Sequence, residues 1–328
     1  MKAFVRRAYG SPDVLTLTDI DRPETADDEV LVRVRATSVN PYDWHHMRGQ
    51  PYFARVMPGG FGLGRPKLTI LGCDIAGQIE AVGAGATRFR PGDEVFALVE
   101  QGGFAEYITV KEALLAAKPT NLSYEQAAAV PMAAATALLA LRDDGRLESG
   151  QQVLVNGASG GVGTFAVQIA HALGAKVTGV CSTRNVDLVR SIGADEVIDY
   201  RAEDFTRQER RYDLLIDIAG SRPVSASRRV LTSTGTFVVV GGPAGRLLRP
   251  ADRMISALVT APFVSQRMAV SDSVGRAEKK PLLATLTGLI ESGQVTPVID
   301  RRYPFAEIPA AVRYQEAGHA SGKVVVSV

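Results

Sequence analysis

The chain has 328 residues, 46% apolar and 22% charged, with 32 glycines, a composition that belongs to a globular α/β protein and excludes a disordered or collagen-like one. A formal net charge of +2 provides no nucleic-acid-binding field, and the arginines at Arg207, Arg210 and Arg211 and at Arg246, Arg249 and Arg253 read as solvated faces. Two distant cysteines, Cys73 and Cys181, supply neither a disulfide framework nor a cysteine-rich zinc lobe.

Met1 to Arg7 run into a short strand without an apolar secretory region, so a cytoplasmic protein is expected. Short strands separated by turns follow at Lys2 to Val5, Val14 to Thr18, Glu29 to Ser38, Asp74 to Val82, Glu94 to Ala97 and Ala105 to Val110, a spacing that predicts a bent β domain. Between them Gln50 to Lys67, with four glycines and three prolines, reads as a long loop without internal order, of the kind that walls a pocket. The apolar stretch Ala127 to Leu141, interrupted by Pro131, is too short to span a bilayer and reads as a buried helix, so no membrane partner is expected.

From Ser123 onward helices alternate with strands at Val153, Lys176, Glu196, Asp213 to Ile218 and Thr236 to Val240, with a last one near Met268 to Val270. This alternation predicts a doubly wound parallel sheet. The C-terminal part reads as a helix around Leu282 to Ile290, an extended segment Val298 to Pro304, a short helix Glu307 to Gln315 and a final strand Val324 to Val328.

The most informative segment is Val153 to Gly174, which reads as strand, glycine-rich turn and helix. Ala158, Ser159, Gly160, Gly161, Val162 and Gly163 form the turn, where a pyrophosphate meets backbone N–H groups at a helix N-terminus. The alternative is a tight turn with no ligand. At the end of the following strand a binder of NAD usually carries an acid, whereas this chain has Ser182, Thr183 and Arg184. Their hydroxyls and guanidinium favour the extra phosphate of NADPH, with Tyr200 bordering the same pocket, unless Arg184 and Tyr200 are merely a solvated arginine and an edge tyrosine. Gly241 and Gly242, after a strand, are expected to lie along the nicotinamide.

Taken in order, Ser38 to Gly49, Leu71 to Gly83, Arg90 to Val95, Gly103 to Tyr107, the dinucleotide turn and Gly318 to Lys323 resemble the medium-chain dehydrogenase/reductase superfamily, in its zinc-independent quinone oxidoreductase branch. The resemblance implies a Rossmann-type cofactor domain inserted into a mainly-β, GroES-like catalytic domain, with domains at 1–124, 125–270 and 271–328 and an active site in the cleft. It also implies NADPH as donor, a quinone or enone as substrate, and a homodimer.

Asn40 stands where zinc-dependent alcohol dehydrogenases carry a cysteine ligand, Cys73 where they carry histidine, and Met132 or a neighbour where they carry the third ligand. Amide and thioether are poor zinc ligands, so no metal is expected. A cleft without a Lewis acid suits acceptors that delocalise the incoming charge. Thr136 matches the threonine beside the nicotinamide ribose, or is a helix-interior threonine bonding its own backbone. Phe263 and Val264 are expected to line the cofactor from the next loop.

Asn40, Asp43 and His45 form the candidate catalytic group, Asn40 as oxyanion donor and His45 as proton donor or as a surface or cap histidine. Lys323 is assigned to the cofactor site, with a strand-edge lysine as the alternative. Two other functions remain: an enoyl-thioester reductase, and a non-catalytic NADPH-binding protein.

Overall fold

The structure is a computed structural model that describes residues 1–57, 60–243, 245–247, 249, 251–271 and 280–328, without the side chains of 280 and 281. It divides into two compact units, Met1–Met132 with Ala277–Glu291 and Pro297–Val328, and Ala133–Arg276 with Ser292–Thr296.

The first unit begins with the antiparallel pair β1 (Lys2–Val5) and β2 (Thr16–Asp19). Then come β3 (Glu29–Val39), helix α1 (Pro41–Arg48), β4 (Asp74–Val82), β5 (Glu94–Leu98), β6 (Tyr107–Lys111), β7 (Ala116–Ala117) and α2 (Tyr124–Ala128). Chain returns add β14 (Ile299–Pro304), α9 (Ile308–Glu316) and β15 (Lys323–Ser327). The main sheet runs β14-β15-β3-β4-β5-β7, with β6 paired to β3.

Its strands are rich in β-branched residues whose inward faces form a core of Val30, Val32, Val34, Ile75, Ile79 and Val95. A second core joins the two chain ends, packing Phe4, Trp44 and Met47 against Ile308, Val312 and Val324. The pairing Val324↔Val39 sets β15 against the end of β3, and with it the neighbouring Lys323 and Asn40.

The expected boundary at residue 124 lies before α2, which packs on β3 and β4 and so joins the first unit. The single helix read at Ala127 to Leu141 is broken at Ala129 and Val130. Pro131 opens a new helix, α3 (Pro131–Leu138), because a missing N–H costs nothing in a first turn. The Gln50 to Lys67 loop has more order than its composition predicts, with a 3-10 turn at Tyr52–Arg55. The Tyr9 hydroxyl lies 2.7 Å from the Phe61 carbonyl and 2.6 Å from that of Gly62. Pro58 and Gly59 lie outside the described residues.

The second unit carries six parallel strands: β8 (Gln152–Asn156), β9 (Lys176–Cys181), β10 (Glu196–Asp199), β11 (Tyr212–Asp217), β12 (Leu231–Val239) and β13 (Arg267–Val270). Their order, β10-β9-β8-β11-β12-β13, reverses direction between β8 and β11. Connecting helices include α4 (Gly161–Ala172), α5 (Val186–Ser191), α6 (Val224–Ser227) and α7 (Ala251–Thr260), and α8 (Lys280–Glu291) belongs to the first unit. Leu154, Val180, Leu215 and Phe237 form the core on one sheet face. In such sheets ligands bind beyond the carboxyl ends of the strands at the switch point, here the ends of β8 and β11.

Candidate functional site

In the second unit the glycine-rich segment links β8 to α4. Gly157 has φ of 95°, a left-handed conformation that glycine reaches without strain. The N–H groups of Gly157 and Ala158 both donate to the Val180 carbonyl at the end of β9, at 3.1 and 3.0 Å. Gly160 is the N-cap of α4, with Gly161 as its first residue, so the helix presents first-turn N–H groups without side-chain caps.

A Cβ on Gly163 would stand 2.0 Å from the Gly157 carbonyl oxygen and under 3 Å from the Ala158 backbone; its absence lets α4 pack onto the turn. A Cβ on Gly160 would meet only the Gly157 oxygen, at 3.6 Å, which leaves the space above the turn open to a pyrophosphate. This cradle fits a dinucleotide.

At the end of β9, Ser182 is buried and Arg184 exposed. The Asn185 side-chain amide donates to the Ser159 hydroxyl oxygen at 2.9 Å, tying this segment back to the glycine-rich turn. The hydroxyl proton of Thr183 goes to Asp199 Oδ2, 2.6 Å away. Asp199 was missed by the sequence reading because it ends the next strand, β10. The parallel pairing Asp199↔Cys181 brings it alongside. The Thr183 hydrogen bond holds its carboxyl below the usual range, so Thr183 faces a carboxylate and does not offer its proton to a phosphate. Tyr200, half exposed, donates its N–H to the Cys181 carbonyl on the same edge.

At the switch point Asn156 Nδ2 donates to Asp217 Oδ1 at 2.7 Å, and Arg253 from α7 pairs with Asp217 Oδ2. Burial pushes the Asp217 carboxyl up while Arg253 opposes it. The Gly220 N–H also donates to Asp217, and Gly241 donates to the Asp217 carbonyl, which draws the ends of β11 and β12 together. A Cβ on Gly220 would lie 2.6 Å from Gly242 Cα, so this floor is backbone on backbone. This triad had no sequence signal, since its members lie far apart in the chain. Thr136 is buried within α3, whereas Phe263 is 83% exposed with Val264 half-buried beside it.

In the first unit the three candidate catalytic residues sit at the start of α1, Asn40 as its N-cap and Asp43 and His45 within it. Asn40 precedes the helix, and its N–H donates to Asp43 Oδ2 at 2.7 Å while Asp43 Oδ1 accepts from the Gly72 N–H at 3.1 Å. Asp43 is fully buried, and burial raises its carboxyl to about 7. Its contacts make it a clamp between α1 and the approach to β4 rather than a group presented to substrate.

His45 stacks on Trp44 at 3.9 Å between centroids, and its Nδ1 lies 2.9 Å from the Gln50 carbonyl. A carbonyl only accepts, so the neutral ring carries its proton on Nδ1 and leaves Nε2 bare. Burial lowers its pKa, and the Gln50 hydrogen bond only partly opposes this. A neutral His45 of this tautomer has no proton to donate from Nε2, which weighs against the acid role.

The side chain of Asn40 is 3% exposed and lies at the centre of a buried cluster. Its Nδ2 donates to Asp74 Oδ2 at 2.9 Å and to Cys73 Sγ at 3.3 Å, and its Oδ1 accepts from Lys323 Nζ at 2.5 Å. Asp74 also accepts from Ser38 Oγ at 2.6 Å, from the Met132 N–H at 2.8 Å and from Lys323 at 3.2 Å. Lys323 is therefore neither a strand-edge lysine nor free for a phosphate: at 3% exposure its ammonium is turned into the first unit. Burial and two nearby carboxylates push the Cys73 thiol up, so it stays protonated.

A zinc ion asks for anionic or imidazole donors, and this set offers an amide, a neutral thiol and a neighbouring ammonium. The donor set does not fit zinc. Among the described residues no group of three His, Cys, Asp or Glu side chains is placed to hold a metal.

A GroES-like sheet carrying both chain ends, joined to a six-stranded Rossmann sheet with a dinucleotide turn, defines a dehydrogenase/reductase of the medium-chain type. Comparison with known proteins gives the same class. The alcohol dehydrogenase GroES-like domain model matches residues 26–120 and a zinc-binding dehydrogenase model matches residues 192–326.

The NADPH-dependent alkenal/one oxidoreductase, chloroplastic, of Arabidopsis thaliana is 36% identical, covering 99% of this chain and 79% of its own. The NAD(P)H oxidoreductase RTN4IP1, mitochondrial, of Bos taurus is 33% identical, covering 100% and 89%. Among solved structures the quinone oxidoreductase from Coxiella burnetii matches with a TM-score of 0.84 at 28% identity, over 100% of this chain and 99% of its own. The chain belongs to the medium-chain dehydrogenase/reductase superfamily, in its quinone oxidoreductase-like branch, and is an oxidoreductase.

Proposed function

We propose that this oxidoreductase uses NADPH to reduce conjugated acceptors, quinones or α,β-unsaturated carbonyls, without a metal ion. The observation that carries the reading is the donor set around Asn40. Where the alcohol dehydrogenases of the superfamily hold a Lewis acid, this chain has an amide bonded to a buried ammonium and a protonated thiol. An acceptor reduced there must spread the incoming charge itself. The names of the relatives, an alkenal/one oxidoreductase and a quinone oxidoreductase, support the same class of acceptor.

The turn from Ala158 to Gly163 would hold the pyrophosphate, with Ser182, Arg184 and Tyr200 at the adenosine end and Thr136, Gly241, Gly242, Phe263 and Val264 toward the nicotinamide. NADPH, when bound, supplies a hydride. In an enone the new C–H bond forms at the β-carbon, the double bond shifts, and negative charge collects on the carbonyl oxygen. Asn40 is the donor offered to that oxygen: its Nδ2 hydrogen facing Cys73 makes only a weak bond to sulfur and exchanges for an oxyanion at little cost. The proton that completes the α-carbon comes from solvent, since the Nδ1 proton of neutral His45 is held by the Gln50 carbonyl and its Nε2 carries none.

Turnover of NADPH against quinones, enones, saturated aldehydes, alcohols and enoyl thioesters tests the reading. Quinones or enones should be the best substrates and Asn40→Ala should lower their turnover ~10- to 1,000-fold. Preference for saturated alcohols or aldehydes would refute the acceptor class, preference for enoyl thioesters would reassign the substrate, and parent turnover in Asn40→Ala would remove Asn40 from the chemistry.

A further inference from the structure

We propose that Lys323 is a positioning residue that fixes the orientation of the Asn40 amide and strengthens its nitrogen as a hydrogen-bond donor; the inference rests on the role proposed for Asn40 above. Lys323 opens β15, and the antiparallel register of β15 on β3 brings it from the far end of the chain to the residue that precedes α1. An ammonium buried to 3% exposure is costly unless paired. Lys323 has two partners, Asn40 Oδ1 at 2.5 Å and Asp74 Oδ2 at 3.2 Å.

The first of these decides the amide. An ammonium has only donors, so the oxygen of Asn40 must face it and the NH2 group must face away, toward Cys73 and Asp74. A flip would set NH2 against NH3+ and also remove a donor from the Asp74 carboxylate. Asp74 in turn cannot swing away, because Ser38, Asn40, Lys323 and the Met132 N–H all converge on it from separate segments of the first unit. The carboxylate, ammonium and amide thus form a closed ring that holds a single orientation.

The ring also changes the chemistry of the amide. A cation on the carbonyl oxygen draws electron density through the amide and leaves the N–H hydrogens more positive, the cooperative effect expected of linked hydrogen bonds in a dry interior. Lys323 touches neither substrate nor cofactor in this account and acts through Asn40. This buried ammonium thereby has a task that a lysine at a cofactor phosphate would not perform.

The test is a double-mutant cycle on the full chain, with enone turnover, NADPH affinity and thermal midpoint measured for each variant. Lys323→Met strands a buried carboxylate, so a charge-balanced Lys323→Met/Asp74→Asn variant is made beside it. The expected result is a ~5- to 50-fold fall in kcat with NADPH affinity within about twofold, and no further fall when the same changes are added to Asn40→Ala.

Losses that multiply with those of Asn40→Ala, or turnover at the parent rate in a folded variant, would overturn the positioning role while leaving Asn40 catalytic. Parent turnover in Asn40→Ala would instead overturn the reading beneath it. Should neither lysine variant fold, asparagine-labelled parent protein gives the answer by NMR, with the Asn40 side-chain NH2 identified by its loss in Asn40→Asp. Slow solvent exchange and two well-separated proton shifts are expected; a rapidly exchanging, averaged NH2 would refute the fixed orientation.

Discussion

Two neighbouring glycines of the dinucleotide turn should respond oppositely to the same methyl group. Gly160 has φ of −81° and ψ of 177°, a conformation open to alanine, and its added Cβ would meet only the Gly157 oxygen at 3.6 Å. Gly160→Ala should therefore change stability by less than about 1 kcal/mol, as an N-cap glycine replaced without strain. The methyl would nonetheless occupy space that a pyrophosphate needs for close approach to backbone. Loss of one charge-assisted hydrogen bond is worth about 1.5 to 3 kcal/mol, a ~10- to 100-fold weaker NADPH complex.

At Gly163 the methyl would meet backbone atoms at 2.0, 2.7 and 2.8 Å, none of which can rotate aside. Gly163→Ala should cost about 1 to 3 kcal/mol or more of stability through overpacking. Thermal melts together with NADPH fluorescence titrations separate the two effects. If Gly160→Ala binds NADPH like the parent, the turn does not hold the pyrophosphate and the cofactor site is misplaced.

Arg184→Ala should weaken NADPH by about 1.5 to 3 kcal/mol with NADH nearly unchanged in the same titrations; equal losses for both would make Arg184 structural. The purified protein should contain no stoichiometric zinc by elemental analysis and should keep its turnover in chelator, and about one zinc per chain, removed with loss of activity, would contradict the reading of the Asn40 cluster. His46, against the Tyr42 and Phe61 rings, is lowered by burial to about 4. Its contribution to stability is present above the unfolded value near 6.5 and is lost as pH falls through 4, on the order of 3 kcal/mol in all. Urea melts across that window should show the loss for the parent and a shallower slope for His46→Gln, and identical slopes would refute it.

The strands carrying both sheets were legible because alternation and β-branched runs reflect one buried face or two, and the dinucleotide turn because glycines, strand and helix are contiguous. What escaped the sequence reading was contact between distant segments. Asp199 comes beside Thr183 through strand pairing, so that Thr183 faces a carboxylate where only donors were expected. Lys323 was placed at the cofactor from its position in a motif, but the β15–β3 register turns it onto Asn40. The Asn156, Asp217 and Arg253 triad joins two strand ends to a helix, and no spacing announces it. Asp43 and His45 were rightly placed on one helix, yet a cap bond and a carbonyl contact, visible only in three dimensions, decide what each can do.

The central claim is hydride transfer to a conjugated carbon, and isotope transfer tests it most directly. The protein is incubated with NADPH carrying deuterium at the transferable position of the nicotinamide and with a simple enone, and the product is analysed by mass spectrometry and NMR. The account predicts a saturated ketone with one deuterium on the β-carbon and a solvent-derived proton on the α-carbon. An allylic alcohol with deuterium on the carbonyl carbon, or a product without deuterium, would contradict it.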